Sequence, residues 1–230
     1  MLIRSCLKEY PIDPVPYPDD PHLRRLDAIA LNFMNRYALR IDGQLARIAE
    51  TEIYYDAPEY PDCFCHRHPE QAKYESWYYH YSGYDVTFGK DGAYVGALVR
   101  GIQWAEDGEW GQAGAYLYGP GRVGYRWKPK KAPREIELIK GMNYDFRIHT
   151  LGSYVYDTQV LTLPRVNLSK ERMLKAIASG DRKKISQMQE ALNRKARYLR
   201  LPERFWELKE KPDDLRSIVM KLGSDEAVRS

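Results

Sequence analysis

The chain has 230 residues, 43% of them apolar and 30% charged, with a formal net charge of +4. That length buries a good core in one large domain, and the composition describes an ordinary globular protein rather than a disordered or fibrous one. No run of about 18 apolar residues occurs, so no membrane-spanning helix is expected, and the small positive excess permits a nucleic-acid partner without requiring one.

Five prolines between residues 9 and 21 predict an extended lead-in over residues 1–22, with too short an apolar stretch for a secretory signal. From Pro21 to about Arg40, leucine, isoleucine and methionine recur at helical spacing, and Pro21 suits a first turn. Residues 41 to 163 read as short strands punctuated by turn sequences such as FGKDGAY, AEDGEWG and YGPGRVG.

Within that region, IAETEIYYD (48–56) alternates so as to put Ile48, Glu50, Glu52 and Tyr54 on one face and Ala49, Thr51 and Ile53 on the other. Glutamate is a poor strand former and is rarely buried alone, so the stretch is either a solvated edge or a carboxylate at the rim of a pocket. CFCHRH offers Cys63, Cys65, His66 and His68, too tightly spaced for a comfortable tetrahedral zinc site. Three cysteines give no disulfide framework, and a reducing cytosol is the default expectation.

ESWYYHYSGYDVTFG (75–89) sets Trp77, Tyr78, Tyr79, Tyr81, Tyr84 and Phe88 around Asp85. Strand packing accounts for most of these rings, but alternation exposes about half, and exposed rings beside basic patches can stack on bases. YVGALVRGIQW (94–104) carries one charge, Arg100, inside an apolar strand. A buried arginine needs an anion, which Glu50 or Glu52 on a neighbouring strand would supply.

After Pro164 the pattern turns helical. Ser169 suits an N-cap for a helix to Ala178, Gly180-Asp181 breaks and restarts it, a second helix runs to about Arg200, and a short one follows Pro212. Residues 169 to 200 carry ten Lys/Arg, and a second basic stretch includes Arg122, Arg126 and Lys128 beside Tyr125 and Trp127. Either is a solvated face or a surface for phosphates. The reading is α+β: an N-terminal helix, a central, mostly antiparallel curved sheet with short hairpins, and a C-terminal helical segment. Residues 23–165 form the core, and the basic region 166–230 packs on the same domain.

In order, ALNFMNRYALRIDGQLARIAETEIYY, CHRH, WYYHYSGYDVTFG, GALVRGI and YGPGRV resemble the alkyladenine (3-methyladenine) DNA glycosylases over about residues 26 to 125. LPRV and KARYLRL extend the likeness. That family has a helix leading to a strand ending Glu-Thr-Glu-Ala-Tyr, a His-containing loop and a Tyr-rich hairpin ending near an Asn. An apolar strand ending in Leu-(Leu/Ile)-Arg-Ala and a Gly-Pro turn follow. Specificity lies in the order of these pieces.

The resemblance implies a monofunctional N-glycosylase of base excision repair that needs no cofactor or metal and acts as a monomer on double-stranded DNA bearing a damaged or modified base. Glu52 matches the general base, Tyr54 the aromatic that stacks on the flipped base, and Arg100 the catalytic arginine. His66 is the better match for the loop histidine, with His68 the alternative. Tyr78 or a neighbour such as Tyr79 would wedge into the duplex, Tyr81 would join the pocket wall, and Arg122, Arg126 and Lys128 would contact phosphates. Localisation would be cytoplasmic, at the nucleoid in a bacterium, or nuclear in a eukaryote.

Asp85 departs from the family's Asn, exchanging a mixed donor and acceptor for an acceptor. The loops after the histidine and the arginine are also trimmed, and the basic C-terminal helices have no counterpart. These departures leave two other readings: a nucleic-acid-binding protein with no glycosylase activity, or a glycosylase for a hypermodified or non-DNA substrate.

Overall fold

The computed structural model describes residues 21–106, 109–110, 116–120, 123, 136–148, 159–165 and 168–200. Helix α1 (Pro21–Arg36) opens the described chain. Its buried residues Leu26, Ile29, Ala30, Phe33 and Met34 repeat at helical spacing and form one stripe against the sheet. Truncating Phe33, which is fully buried, would cost about 3–5 kcal/mol.

Strands β1 (Tyr37–Ile41) and β2 (Gln44–Asp56) form a hairpin whose turn, Asp42-Gly43, has positive φ at both residues. That backbone suits a tight two-residue turn and is why Asp-Gly stands there. β3 (Tyr74–His80) and β4 (Gly83–Phe88) form a second hairpin after a 3₁₀ turn at Pro69–Ala72. β5 (Tyr94–Glu106) is the long central strand, with β6 (Glu109–Trp110) and β7 (Tyr116–Tyr118) pairing onto it. β8 (Ile136–Lys140), β9 (Arg147–Ile148) and β10 (Gln159–Pro164) complete the middle of the chain. Helices α2 (Lys170–Ala178) and α3 (Arg182–Asn193) and strand β11 (Lys195–Arg200) follow.

The eleven strands form one sheet along the path β3-β4-β5-β2-β11-β10-β9, with β1, β6, β7 and β8 attached beside it. Among the described residues, all pairings are antiparallel except that of β9 with β10. The architecture is therefore the expected single α+β domain. Among the described residues, no helix is long and apolar enough to cross a membrane.

Besides the end of α1 at Arg36, where residues 37–40 join β1 instead of carrying the helix on to about Arg40, two expectations change. Residues 195 to 200 do not extend the second C-terminal helix; they form β11, lying between β2 and β10. Five of the six residues there are buried, because both neighbours satisfy the backbone of a central strand and outweigh the helical preference of Lys and Arg. The Ser169 cap and the break at Gly180-Asp181 are as read: Ser169 accepts from the Arg172 amide, and Asp181 caps the restarted helix by accepting from those of Lys183 and Lys184.

The second change concerns the alternation along β2. Its ladder to β5 shifts between Ile48 and Glu50, where Ala49 is an extra residue, and shifts back before Thr51, where Arg100 is extra on β5. Each bulge turns the strand by one position. Ile48 therefore joins Ile53 and Tyr55 in the core under α1, whereas Tyr54 packs with Phe64 and Met188. Ile48 does not share the face of Glu52 and Tyr54.

Candidate active site

The bulges bring two glutamates and an arginine together on the face away from α1. Arg100 Nε donates to Glu50 Oε1 at 2.9 Å, and its Nη1 lies 3.5 Å from Glu52 Oε2. Arg197 on β11 donates to the same Glu50 oxygen at 2.6 Å. Burial works against a charged Glu50, but Arg100 and Arg197 outweigh it and hold the carboxyl below its ordinary range. Glu50 is thus the structural counter-ion, and Arg100 is shared between both carboxylates.

Glu52 has no solvent exposure. Its Oε2 accepts the Tyr54 hydroxyl at 2.9 Å. Burial first, then the Glu52 charge, push the Tyr54 hydroxyl well above its ordinary value, so it remains a donor. Behind the Tyr54 ring lies Arg165, its guanidinium carbon 4.7 Å from the ring centroid. Burial opposes the Arg165 charge, but a two-point contact with Asp62, at 2.6 and 3.1 Å, more than restores it.

On its other side Tyr54 lines a cavity of about 400 Å³, whose wall includes Phe64, His66, Gln71, His80, Tyr81, Asp85, Leu98 and Arg172. That volume lies within the range of about 300–1,000 Å³ usual for small-molecule pockets. His66 Nδ1 lies 2.9 Å from the Tyr78 hydroxyl, and partial burial, helped by His80 and Arg172, keeps its pKa below the ordinary value. His66 is therefore a neutral imidazole at neutral pH. His68 is not among the lining residues: it caps the 3₁₀ turn and stacks on Tyr78, with ring centroids 4.4 Å apart.

The rings of the β3–β4 hairpin differ in freedom. Tyr78 stacks on both His68 and His80 and is half-buried. Tyr79 is 58% exposed, and Tyr81, in the turn between the strands, is 98% exposed while also lining the cavity. Tyr81 is thus the ring most available to a partner. Arg122, Arg126 and Lys128 lie outside the described residues.

Glu52, Tyr54 and Arg100 meet, whereas His66, expected beside Glu52 and Arg100, lies with Tyr81 and Asp85 on the cavity wall. Glu52 is not among the lining residues and is linked to the cavity through the Tyr54 hydroxyl. Sequence reasoning missed Arg165 with Asp62, and Gln71 with His80. LPRV carried a trace of the first pair; nothing in the local pattern marked Gln71. Cys65 is buried and donates to Gln71 Oε1 at 3.6 Å, and no group of three or more His, Cys, Asp or Glu among the described residues is placed to hold a metal ion. No protein-family model matches the chain, and it matches no curated protein.

Proposed function

We propose that the protein is a monofunctional DNA N-glycosylase that takes an extruded, damaged or modified base into the cavity beside Tyr54. One observation carries the reading: a buried carboxylate, Glu52, is held against Arg100 and linked by the Tyr54 hydroxyl to a cavity of about 400 Å³. Tyr81, exposed at the hairpin tip beside the cavity mouth, would fill the gap left in the duplex, and the Tyr54 ring would stack on the base.

In the reaction, a water oxygen attacks C1′ as the N-glycosidic bond breaks and its electron pair leaves with the base. The water's proton passes to the Tyr54 oxygen while the Tyr54 proton moves onto Glu52 Oε2. The Glu52 charge also stabilises cationic character at the sugar, and Arg100 keeps that carboxylate in place. Such an enzyme would work where the chromosome lies.

The closure of Glu52 beneath Tyr54 and Arg100 favours one other reading, a nucleic-acid-binding protein without catalysis. Excision assays over methylated, deaminated and hypermodified duplexes separate the two. The native chain should release at least one base, and Glu52→Gln should lose about 10²–10⁴-fold in rate while still binding duplex. Undiminished release by that variant would falsify the role of Glu52; tight binding with no release from any duplex would leave binding as the function.

A further inference from the structure

β4 sends Tyr84, Val86 and Phe88 into the core and leaves Asp85 on the opposite face, 2% exposed and lining the cavity. Its carboxylate is fixed from two sides. Oδ2 accepts from Gln71 Nε2 at 2.8 Å, and Oδ1 lies 3.0 Å from His80 Nε2.

Both partners are themselves oriented. Gln71 Oε1 accepts from the His68 amide at 3.2 Å, so the amino end of that side chain faces Asp85. His80 Nδ1 accepts from the Ser82 amide at 3.3 Å, which places the ring proton on Nε2, toward Asp85. Gly96 on β5 closes the group from beneath: a Cβ there would stand 2.3 Å from Asp85 Oδ2 and 2.7 Å from Gln71 Nε2. Only glycine lets the β5 backbone come this near.

An ionised carboxyl group is an acceptor with about four lone-pair sites and offers no donor, so both of its oxygens can receive bonds of this kind. Neutral donors occupy one site on each oxygen, so the group can accept again but cannot donate. The Arg172 guanidinium, also on the cavity wall, donates from Nη1 to the Cys63 and Cys65 carbonyls at 2.9 and 3.2 Å. Asp85 thus presents a charged, acceptor-only surface.

We infer that Asp85 makes this cavity selective for a base carrying two adjacent N–H donors, the pattern guanine presents in its N1–H and 2-amino group. Adenine and cytosine pair a donor with an acceptor, hypoxanthine lacks the amino group, and uracil flanks its N–H with carbonyls. Each would leave a carboxylate lone pair facing another lone pair or an empty space. Gln71 and His80 act as positioning residues that keep both oxygens in line. The inference rests on the cavity receiving a base, as proposed above.

Guanosine and inosine differ by the 2-amino group alone, and equilibrium binding of each to the full chain, followed by calorimetry or NMR, tests the point. Guanosine should bind about tenfold or more tightly than inosine, and Asp85→Asn should bring the two within about twofold. The comparison on the native chain stands even if the variant folds poorly. Equal affinities, tighter inosine binding, binding of neither at millimolar concentration, or discrimination that survives Asp85→Asn would each overturn the inference. Base release from damaged duplexes without guanosine selectivity would remove this inference and keep the glycosylase reading; guanosine selectivity without release from any duplex would do the reverse.

Discussion

Two buried carboxylates on the same face of this sheet are built in opposite ways. Glu50 sits between β5 and β11 and gives one oxygen to two guanidiniums, those of Arg100 and Arg197. Asp85, on β4 near one end of the sheet, is held by an amide and an imidazole and borders open space. Burial alone does not tell them apart, at 1% and 2% exposure. The donors do. Arginines cancel the charge and commit it to the sheet, whereas neutral donors fix the direction of the carboxylate and leave its charge for something else. Glu52 lies between these extremes, its Oε2 beside the Arg100 guanidinium and bonded by the Tyr54 hydroxyl.

The largest effect should come from breaking the closed centre. Glu50→Ala leaves two buried guanidiniums without their shared counter-ion and should cost about 3–5 kcal/mol in denaturant unfolding. A cost under about 1 kcal/mol would mean that the cluster does not hold β2, β5 and β11 together.

Asp27 on α1 is a third case, with a single neutral partner. It accepts from the Tyr198 hydroxyl at 2.7 Å, and burial raises its pKa to about 6 against that bond's opposing pull. A carboxyl raised on folding contributes its stability in acid and loses it as pH climbs through the folded value. Between about pH 4 and pH 6 the native chain should therefore lose about 2–3 kcal/mol, a slope that Asp27→Asn should flatten in unfolding curves across that range. An unchanged slope would show that some other group titrates there.

The smallest effect on the fold should come at the cavity's mouth. Tyr81→Ala should leave stability within about 0.5 kcal/mol yet weaken duplex binding by about 1–3 kcal/mol. Unaltered affinity, measured by fluorescence anisotropy, would remove Tyr81 from the contact surface.

Much of this architecture was legible in the residues. The apolar stripe of α1, the Asp-Gly turns, the Ser169 and Asp181 caps and the need of Arg100 for a glutamate all follow from local chemistry. β11 was hidden because Lys195, Arg197 and Arg200 resemble a solvated helix face until β2 and β10 enclose them, and Arg197 is then neutralised by Glu50 from another strand. Arg165 and Asp62, 103 residues apart, and Gln71 beneath Asp85 depend on long-range closure that no spacing encodes. The bulges at Ala49 and Arg100 escaped because a strand's period reveals an extra residue only once its partner is known.

Those bulges also set how the protein can tolerate change. They offset one another, so the β2–β5 register is the same on either side of them. Loss of Ala49 alone would restore plain alternation from Ile48 to Tyr55 with each side chain on its present face, and would leave Arg100 as an unmatched bulge on β5. Length at this spot is therefore a two-strand property: a deletion in each strand would give a plain ladder, whereas a deletion in one alone leaves a bulge that bends the pair and raises its twist.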